Sequence, residues 1–430
     1  MSRLRCASLA GAVALFVLVG RWGIYRLTSP EAEPNPLTEL RLWAVLAVLL
    51  LAAIGLADRT SHVPGESETR KDAGLSTALL LFLGYMGFSA LWAPDAAASL
   101  TKLYELALVG VMSAAFAFAA LRLPPGRLLD CFWGVVVLVC GVLALVGVRQ
   151  LLSSGAGRLS VLGGGPNVFA RLMGLLMLGS LYLWYHHGRA WLWLPLGGMG
   201  LVLILLSGSR GGTAAGIAAL AAFLFVQRPP LRRLAVLTVL GVLLGGVGLK
   251  LTPLARPLER SMEERFVRLT LHYSGRDDEE GRRGERGSVY LSGRTGLYAS
   301  ALALGKDHPV AGAGLAAFPA LGLGVYPHNL FLEVFCEGGA LGLALLAALL
   351  LTFAASAWKR RATLDGACLG GVVMVLVGSQ ASGDLYDTRT LFLLMLLASC
   401  TAPAAFPAAE PERELPPGLG AANAPLQGGA

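Results

Sequence analysis

Long apolar runs recur along this chain, and they constrain its fold more than any other sequence feature. About twelve stretches approach the ~20 apolar residues that a helix needs to cross the hydrocarbon core of a bilayer. Backbone polar groups cannot be left unbonded in lipid, so such stretches must be helices. We therefore predict an all-α fold, a polytopic integral membrane helical bundle of about 12 transmembrane helices.

The predicted spans divide the chain into four regions. The spans cover residues 7–25, 40–57, 75–92, 103–121, 128–148, 168–185, 191–206, 212–226, 234–249, 329–357, 364–380 and 390–405. The regions are an amino-terminal bundle at 1–249, a polar loop at 250–326, carboxy-terminal spans at 327–405 and a disordered cytoplasmic tail at 406–430. Within the loop we expect an amphipathic helix at 254–273, a mobile charged segment at 276–287 and a short apolar helix opened by Arg294.

Composition excludes several classes of function. With 55% hydrophobic and 14% charged residues, the chain has more apolar surface than a soluble core can bury. The net charge of +8 lies largely in short loops between spans, where it sets topology, so we exclude nucleic acid as a partner. The six cysteines form no CxxC pair and have no histidine at ligand spacing. We expect no disulfide framework, no metal and no other cofactor.

Basic loops alternate along the chain and predict its orientation. Placing the amino terminus in the cytoplasm puts the more basic short loops inside, and the opposite-side loops then contain Lys102, Arg149, Arg158, Arg210 and Arg389. The polar loop at 250–326 follows as extracytoplasmic. We therefore predict a multi-pass membrane protein whose polar loop faces away from the cytoplasm.

Three arginines on the outer side are candidate anion ligands. Glycines flank Arg210, which allows close approach to a ligand, although a tight turn with a snorkelling arginine explains the same pattern. Arg171 lies about one turn inside an apolar segment, where a charge needs a partner, a ligand or a route to the interface. Arg294 begins an otherwise apolar helix and could equally be a solvated end residue.

His328 and Asn329 begin the next span at the same surface. Imidazole exchanges protons near neutral pH, so His328 is a candidate general base, although a lone histidine is more often structural. Asn329, Glu333 and Glu337 follow at four-residue spacing and form one polar stripe on an apolar helix. Buried carboxylates need cations, and we expect the outer arginines to supply them.

Three separated motifs at these positions resemble the O-antigen ligase and polymerase superfamily. They are Leu206-Ser207-Gly208-Ser209-Arg210-Gly211-Gly212, then Ser292-Gly293-Arg294 with Pro309 and Gly312-Ala313-Gly314, then Pro327-His328-Asn329-Leu330-Phe331-Leu332-Glu333 with Glu337-Gly338-Gly339. The resemblance implies that Arg210 and Arg294 bind the diphosphate of a lipid-linked donor and that His328 activates the acceptor hydroxyl. It also implies chemistry without a metal or a nucleotide sugar.

The resemblance implies transfer of a glycan from undecaprenyl diphosphate to a glycan or lipid acceptor in the bilayer. It also implies a multi-pass protein of the bacterial inner membrane with its active site facing the periplasm. A diphosphate leaves without a proton, so cations must neutralise it and a base must take the acceptor proton. Catalytic His328 would then act beside substrate-binding Arg210, Arg294, Arg171, Asn329 and Glu337. An O-antigen ligase is our first interpretation, a polymerase of lipid-linked repeat units is the alternative, and a transporter is the third class.

Overall fold

The protein is helical throughout the part that its structure describes. This computed structural model describes residues 2–22, 36–57, 66–121, 123–154, 159–161, 164–228, 294–322 and 324–400. Within these ranges the only extended pairing is one isolated bridge between Val161 and Gly164. The predicted all-α class is therefore confirmed.

Thirteen α-helices are present in these ranges. They are α1 (Ser2–Val19), α2 (Leu40–Ala57), α3 (Glu66–Phe88), α4 (Ala96–Ala120), α5 (Pro125–Ser154), α6 (Pro166–His187), α7 (Ala190–Leu206), α8 (Arg210–Gln227), α9 (Arg294–Asp307), α10 (Ala317–Ala320), α11 (Leu330–Lys359), α12 (Gly366–Gly378) and α13 (Arg389–Ser399). Short 3-10 helices lie at Pro36–Thr38 and Ser89–Trp92.

Every predicted span that lies in the described ranges overlaps one of these helices. Six helices are long and apolar enough to cross a membrane, and four more are apolar but shorter. The predicted ninth span at 234–249 lies outside the described residues, as do the amphipathic helix at 254–273, the charged segment at 276–287 and the tail. The total of about twelve spans and the four-region division therefore stay predictions.

Polar side chains at the helix starts explain several of the boundaries. Asp95 accepts hydrogen bonds from the backbone N–H groups of Ala97 and Ala98 and so begins α4. Asp365 accepts one from Cys368 at 2.6 Å and begins α12. Such caps satisfy N–H groups that have no partner inside the helix. In an apolar sequence they mark where each span can start.

Two helices form the centre of the bundle. Every residue of α13 is buried, and this helix contacts α1, α3, α4, α11 and α12. Helix α6 is also buried along most of its length, between α5, α7, α8 and α12. The remaining spans surround these two, so the polar groups at the ends of α6 and α13 are enclosed by other helices.

The outer helices present apolar side chains to their surroundings. On α5, Leu138, Val142 and Leu145 form an exposed stripe at four- and three-residue spacing, with 69%, 56% and 63% of their surface accessible. Leu351 on α11 is 69% exposed. Exposed apolar faces of this size on long apolar helices are expected where lipid is the solvent. The protein is an integral membrane protein.

The helix termini gather at two ends of the bundle. We call one the polar end; it contains the first residues of α6, α8, α9 and α11 and the loop 379–388. We call the other the basic end; it contains the last residues of α6, α8 and α11 and the first residues of α12. At the basic end His186 lies 3.8 Å from Asp365, and Gln227 packs against Gly366.

Candidate active site

The loop between α12 and α13 brings α9 and α11 together at the polar end. The carbonyl oxygen of Gln380 accepts hydrogen bonds from the Tyr298 hydroxyl of α9 at 3.1 Å and from the Asn329 side chain at 3.4 Å. The carbonyl of Ser379 accepts one from the backbone N–H of Leu330 at 3.0 Å. Tyr298 lies one turn from Arg294, and Asn329 follows His328. These contacts therefore place both predicted site residues beside the same loop.

Helix α8 reaches this loop from the other side. A Cβ atom added to Gly211 would lie 2.8 Å from the Cβ of Ala381, so only glycine allows this approach. Ser209 begins α8 by accepting a hydrogen bond from the N–H of Gly212 at 2.9 Å, and its hydroxyl also bonds the Asn167 side chain of α6. The Gly-rich turn at Arg210 is thus a helix start that is fixed to two neighbouring elements.

Arg210 is exposed at the first position of α8. Its guanidinium makes no hydrogen bond or ion pair with the described residues. A helix start also carries partial positive charge from its free N–H groups. Arg210 is therefore available to an anion at the polar end.

Arg171 lies deeper, in the second turn of α6. One of its N–H groups donates to the carbonyl oxygen of Asp387 at 3.1 Å. It lines a small cleft together with Asn167, Gly212, Gly378 and Ser382. The predicted need for a partner is met in part by this backbone carbonyl.

His328 has an unusual backbone and an unsatisfied ring. Its φ of 60° lies in the left-handed region, which is costly for a residue with a side chain and is found most often at functional sites. Its ring contacts Tyr326 edge to face, with centroids 4.5 Å apart. Nδ1 is buried and has no hydrogen-bond partner in the described structure. A buried ring nitrogen without a partner is costly, so a bound ligand is its natural explanation.

The surroundings of His328 favour the neutral form of its imidazole. Burial lowers the pKa of His328 below its ordinary value, and the nearby positive charge of Arg294 lowers this pKa further, against a smaller opposing effect of Asp384. A neutral imidazole can accept a proton, which is what a general base requires.

Asn329 and Glu337, the other predicted ligands, have internal partners. The side-chain oxygen of Asn329 accepts a hydrogen bond from the N–H of Leu332 at 3.1 Å and so begins α11. Glu337 is 1% exposed and contacts Lys102 through both oxygens, at 2.8 and 2.7 Å. The polar atoms of both side chains that would bind a ligand already have partners within the protein. Their role in substrate binding stays a prediction.

The position and contacts of Lys102 contradict two expectations from the sequence. The structure pairs both carboxylates of the polar stripe with this lysine, which lies 2.5 Å from Glu333, and not with an outer arginine. It also places Lys102 inside α4, which begins at Ala96, whereas the sequence analysis assigned it to a loop. Arg149 is likewise inside α5, and Arg389 is the buried first residue of α13. Helices that extend beyond their apolar cores explain all three errors.

A second ion network lies beside the site, and sequence reasoning missed it. Arg21 binds Glu105 at 2.5 and 2.6 Å and Asp384 at 2.5 Å. Arg41 binds Glu105 at 2.9 Å and Glu39 at 2.7 Å. The available signal was that Glu105 is a charged residue inside the predicted span 103–121 and therefore needs a partner.

At the polar end, some charged side chains form ion pairs and others form none with the described residues. Buried carboxylates hold Arg21, Arg41 and Lys102, whereas Arg210 and Arg294 make no ion pair with the described residues. Among those residues no group of three His, Cys, Asp or Glu side chains is arranged to hold a metal ion. Such a site offers guanidinium groups for an anion and one neutral imidazole for a proton.

One comparison with known proteins bears on this arrangement. Residues 195–347 match the family model described as O-antigen ligase, which confirms the resemblance to the O-antigen ligase and polymerase superfamily over these residues. The matched region runs from α7 into α11 and includes Arg210, Arg294 and His328. No curated protein matches the chain.

Proposed function

We propose, from the O-antigen ligase match over residues 195–347, that this membrane protein transfers a glycan from a polyprenyl diphosphate carrier to an acceptor hydroxyl. The family has a lipid-linked glycan as its substrate and works in a membrane. Our proposal adds the ligase assignment, the carrier and the roles of individual residues.

The observation that carries the proposal is that α9, which begins at Arg294, and Asn329, which follows His328, both donate to the carbonyl oxygen of Gln380. Nδ1 of His328 is buried and has no hydrogen-bond partner among the described residues. Arg210 supplies a second guanidinium, because it begins α8, which packs against the loop 379–388. A diphosphate needs such cations and an incoming hydroxyl needs such a base.

In the proposed reaction the acceptor oxygen attacks the anomeric carbon of the glycan. The bond from that carbon to the diphosphate oxygen breaks, and the carrier leaves as a diphosphate whose charge Arg210 and Arg294 stabilise. His328 takes the proton of the acceptor hydroxyl. A single displacement inverts the anomeric centre. Arg171, in the adjoining cleft, would contact the phosphate or the first sugar.

The distribution of basic residues supports a periplasmic site. Arg189, Arg228, Lys359 and Arg361 are all exposed at the basic end, away from the proposed site. Positive residues next to spans favour the cytoplasmic side. We therefore propose that the polar end faces the periplasm of the inner membrane. Labelling of Val325→Cys, at the exposed polar end, by an impermeant reagent in intact spheroplasts would test this, with Trp191→Cys as the shielded control.

Reconstitution tests the activity and separates its two forms. Purified protein in proteoliposomes receives a glycan on undecaprenyl diphosphate together with a candidate lipid or glycan acceptor. We expect the glycan on the acceptor and free undecaprenyl diphosphate as the second product. Chains that lengthen while still on the carrier would identify a polymerase instead. Absence of both products across a panel of acceptors, with protein that is folded and binds the donor, would refute the proposal.

A further inference from the structure

Helix α11 is interrupted within its membrane span. At Gly339 the backbone has φ 63° and ψ −161°, far from helical values. We call residues 330–338 the proximal segment of α11. The interruption separates this segment, which follows His328, from the rest of the helix, which packs in the bundle.

The loop 309–314 fills the interruption. The N–H groups of Ala340 and Leu341 donate to the carbonyl oxygens of Pro309 and Val310 at 2.9 and 3.1 Å. In return Ala313 donates to the carbonyl of Cys336 at 2.8 Å. The groups freed by the break are therefore satisfied, as a non-helical backbone within a membrane requires. The break is a stable part of the fold.

The proximal segment and α9 form one unit with its own small core. Phe335 packs so closely on α9 that a Cβ atom added to Gly305 would lie 2.3 Å from its ring. The apolar side chains in this core, separate from the main bundle core, are Leu297, Ala301, Leu304, Phe318, Leu332 and Cys336. We call residues 294–322 and 324–338 the arginine–histidine unit, because Arg294 and His328 both belong to it.

Lys102 links this unit to the bundle. Its ammonium contacts Glu333 at 2.5 Å and both oxygens of Glu337, one turn further along the proximal segment. Its side chain is only 11% exposed, and the two carboxylates are fully buried. No other cation in the described structure pairs with either carboxylate. One point on α4 thus fixes two successive turns of the proximal segment.

We propose that Lys102 is a positioning residue for glycan transfer: it sets the orientation of the arginine–histidine unit relative to Arg210. Without it, the proximal segment loses its ion pairs with α4, and its orientation then depends on hydrogen bonds such as the one from the Tyr85 hydroxyl to the carbonyl oxygen of Gly338 at 2.9 Å. Catalysis depends on placement within fractions of an ångström, so turnover falls more than donor binding. This inference rests on the proposed function.

The test removes the ion pairs of Lys102 without leaving unpaired charges in the bundle. Lys102→Met alone strands two carboxylates in the bundle and destabilises the protein for that reason. The decisive variant is therefore the triple change Lys102→Met, Glu333→Gln and Glu337→Gln, which has no ion in the triad. Lys306→Met, on the exposed side of α9 in the same unit, is the matched control.

Two measurements are made on each variant in lipid nanodiscs. The first is kcat and KM for undecaprenyl-diphosphate glycan; we expect the triple variant to lose kcat by about 10- to 100-fold while KM changes less than about threefold. The second is the spin-label distance between Ala299→Cys on α9 and Ala214→Cys on α8, which we expect to broaden. Wild-type kcat or an unchanged narrow distance distribution in the triple variant would overturn the proposal. The distance measurement decides on Lys102 even if wild-type protein transfers no glycan, which would refute the proposed function separately.

Discussion

At the polar end, buried carboxylates and cations contact one another directly, whereas at the basic end the cations are exposed at the surface. Glu105 holds Arg21 and Arg41, and Glu333 and Glu337 hold Lys102. At the basic end Arg361 stacks on Trp358 with its guanidinium 5.0 Å from the ring centre. The fold organises the charge at the polar end into ion pairs, and the exposed charge at the basic end supports the proposed orientation in the membrane.

This difference matters because Arg210 and Arg294 lie at the polar end and make no ion pair with the described residues. Among those residues, the carboxylates Glu105, Glu333 and Glu337 already contact other cations. A substrate anion can therefore meet arginines whose charge is still available. Variants at the two ends of the bundle test this contrast.

Removing either available arginine should have the largest effect. Arg210→Ala and Arg294→Ala should each lose ~2–4 kcal/mol of transition-state stabilisation, which leaves little or no transfer. Rates in proteoliposomes, normalised to folded protein, measure this. The matched controls remove a cation from the other end of the same helix, Arg228→Ala for α8 and Lys306→Ala for α9, and should keep nearly full activity. Equal losses in variants and controls would mean that total charge, and not the polar end, supports transfer.

Removing the proposed base should have the next largest effect. His328→Ala should lower kcat by about 10²-fold or more while donor binding persists, because arginines meet the diphosphate charge. Calorimetric binding of the donor and single-turnover rates separate the two quantities. His308→Ala, an exposed histidine in the same unit, is the control. Normal turnover by a folded His328→Ala protein would remove the imidazole from the mechanism.

The two carboxylates of the triad should differ in their contribution to stability. Glu337→Gln should destabilise the protein by about 1–3 kcal/mol, because both of its oxygens contact Lys102 and an amide would turn donors toward an ammonium. Glu333→Gln should change stability by less than about 1 kcal/mol, since only one of its oxygens is bonded and the other is buried without a partner in the described structure. Thermal unfolding in detergent measures both, and the opposite order would mean that the ion pair with Glu333 dominates.

The smallest expected effect is a shift in the pH at which transfer activity falls. Burial and the charge of Arg294 lower the pKa of His328, so the imidazole stays neutral to a lower pH than a free histidine. Activity should fall only as pH drops below the ordinary value of about 6.5. Arg294→Gln removes one cause of the lowered pKa, so its residual activity should fall at a higher pH than in the wild type. An acid limb that persists in a His328 variant would belong to another group.

Much of the fold was predictable from the apolar pattern. The predicted span at 40–57 coincides with α2, and the predicted 191–206 nearly coincides with α7, because local hydrophobicity alone decides where such helices lie. Local spacing also singled out His328 and Arg210. The family motifs explained neither the break at Gly339 nor its filling by the loop 309–314, which depends on two segments that meet only in three dimensions.

The ion pairs were not predictable for the same reason. Lys102 and Glu333 are separated by 231 positions, and Arg21 and Asp384 by 363. A periodic sequence pattern gives no information on contacts between residues that are so far apart in the chain. The sequence showed that buried carboxylates need cations, but choosing among the basic residues required knowledge of which helices are neighbours.

The long separation between Lys102 and its carboxylates also has a consequence for biosynthesis. Helix α4 leaves the ribosome well before α11, so Lys102 must enter the membrane before Glu333 and Glu337 exist. A lysine at the centre of a span costs about 2.5–3.5 kcal/mol on insertion, less nearer the interface, and the apolar remainder of α4 offsets it. Nascent chains that stop before α11 therefore expose unmatched charges within the bilayer.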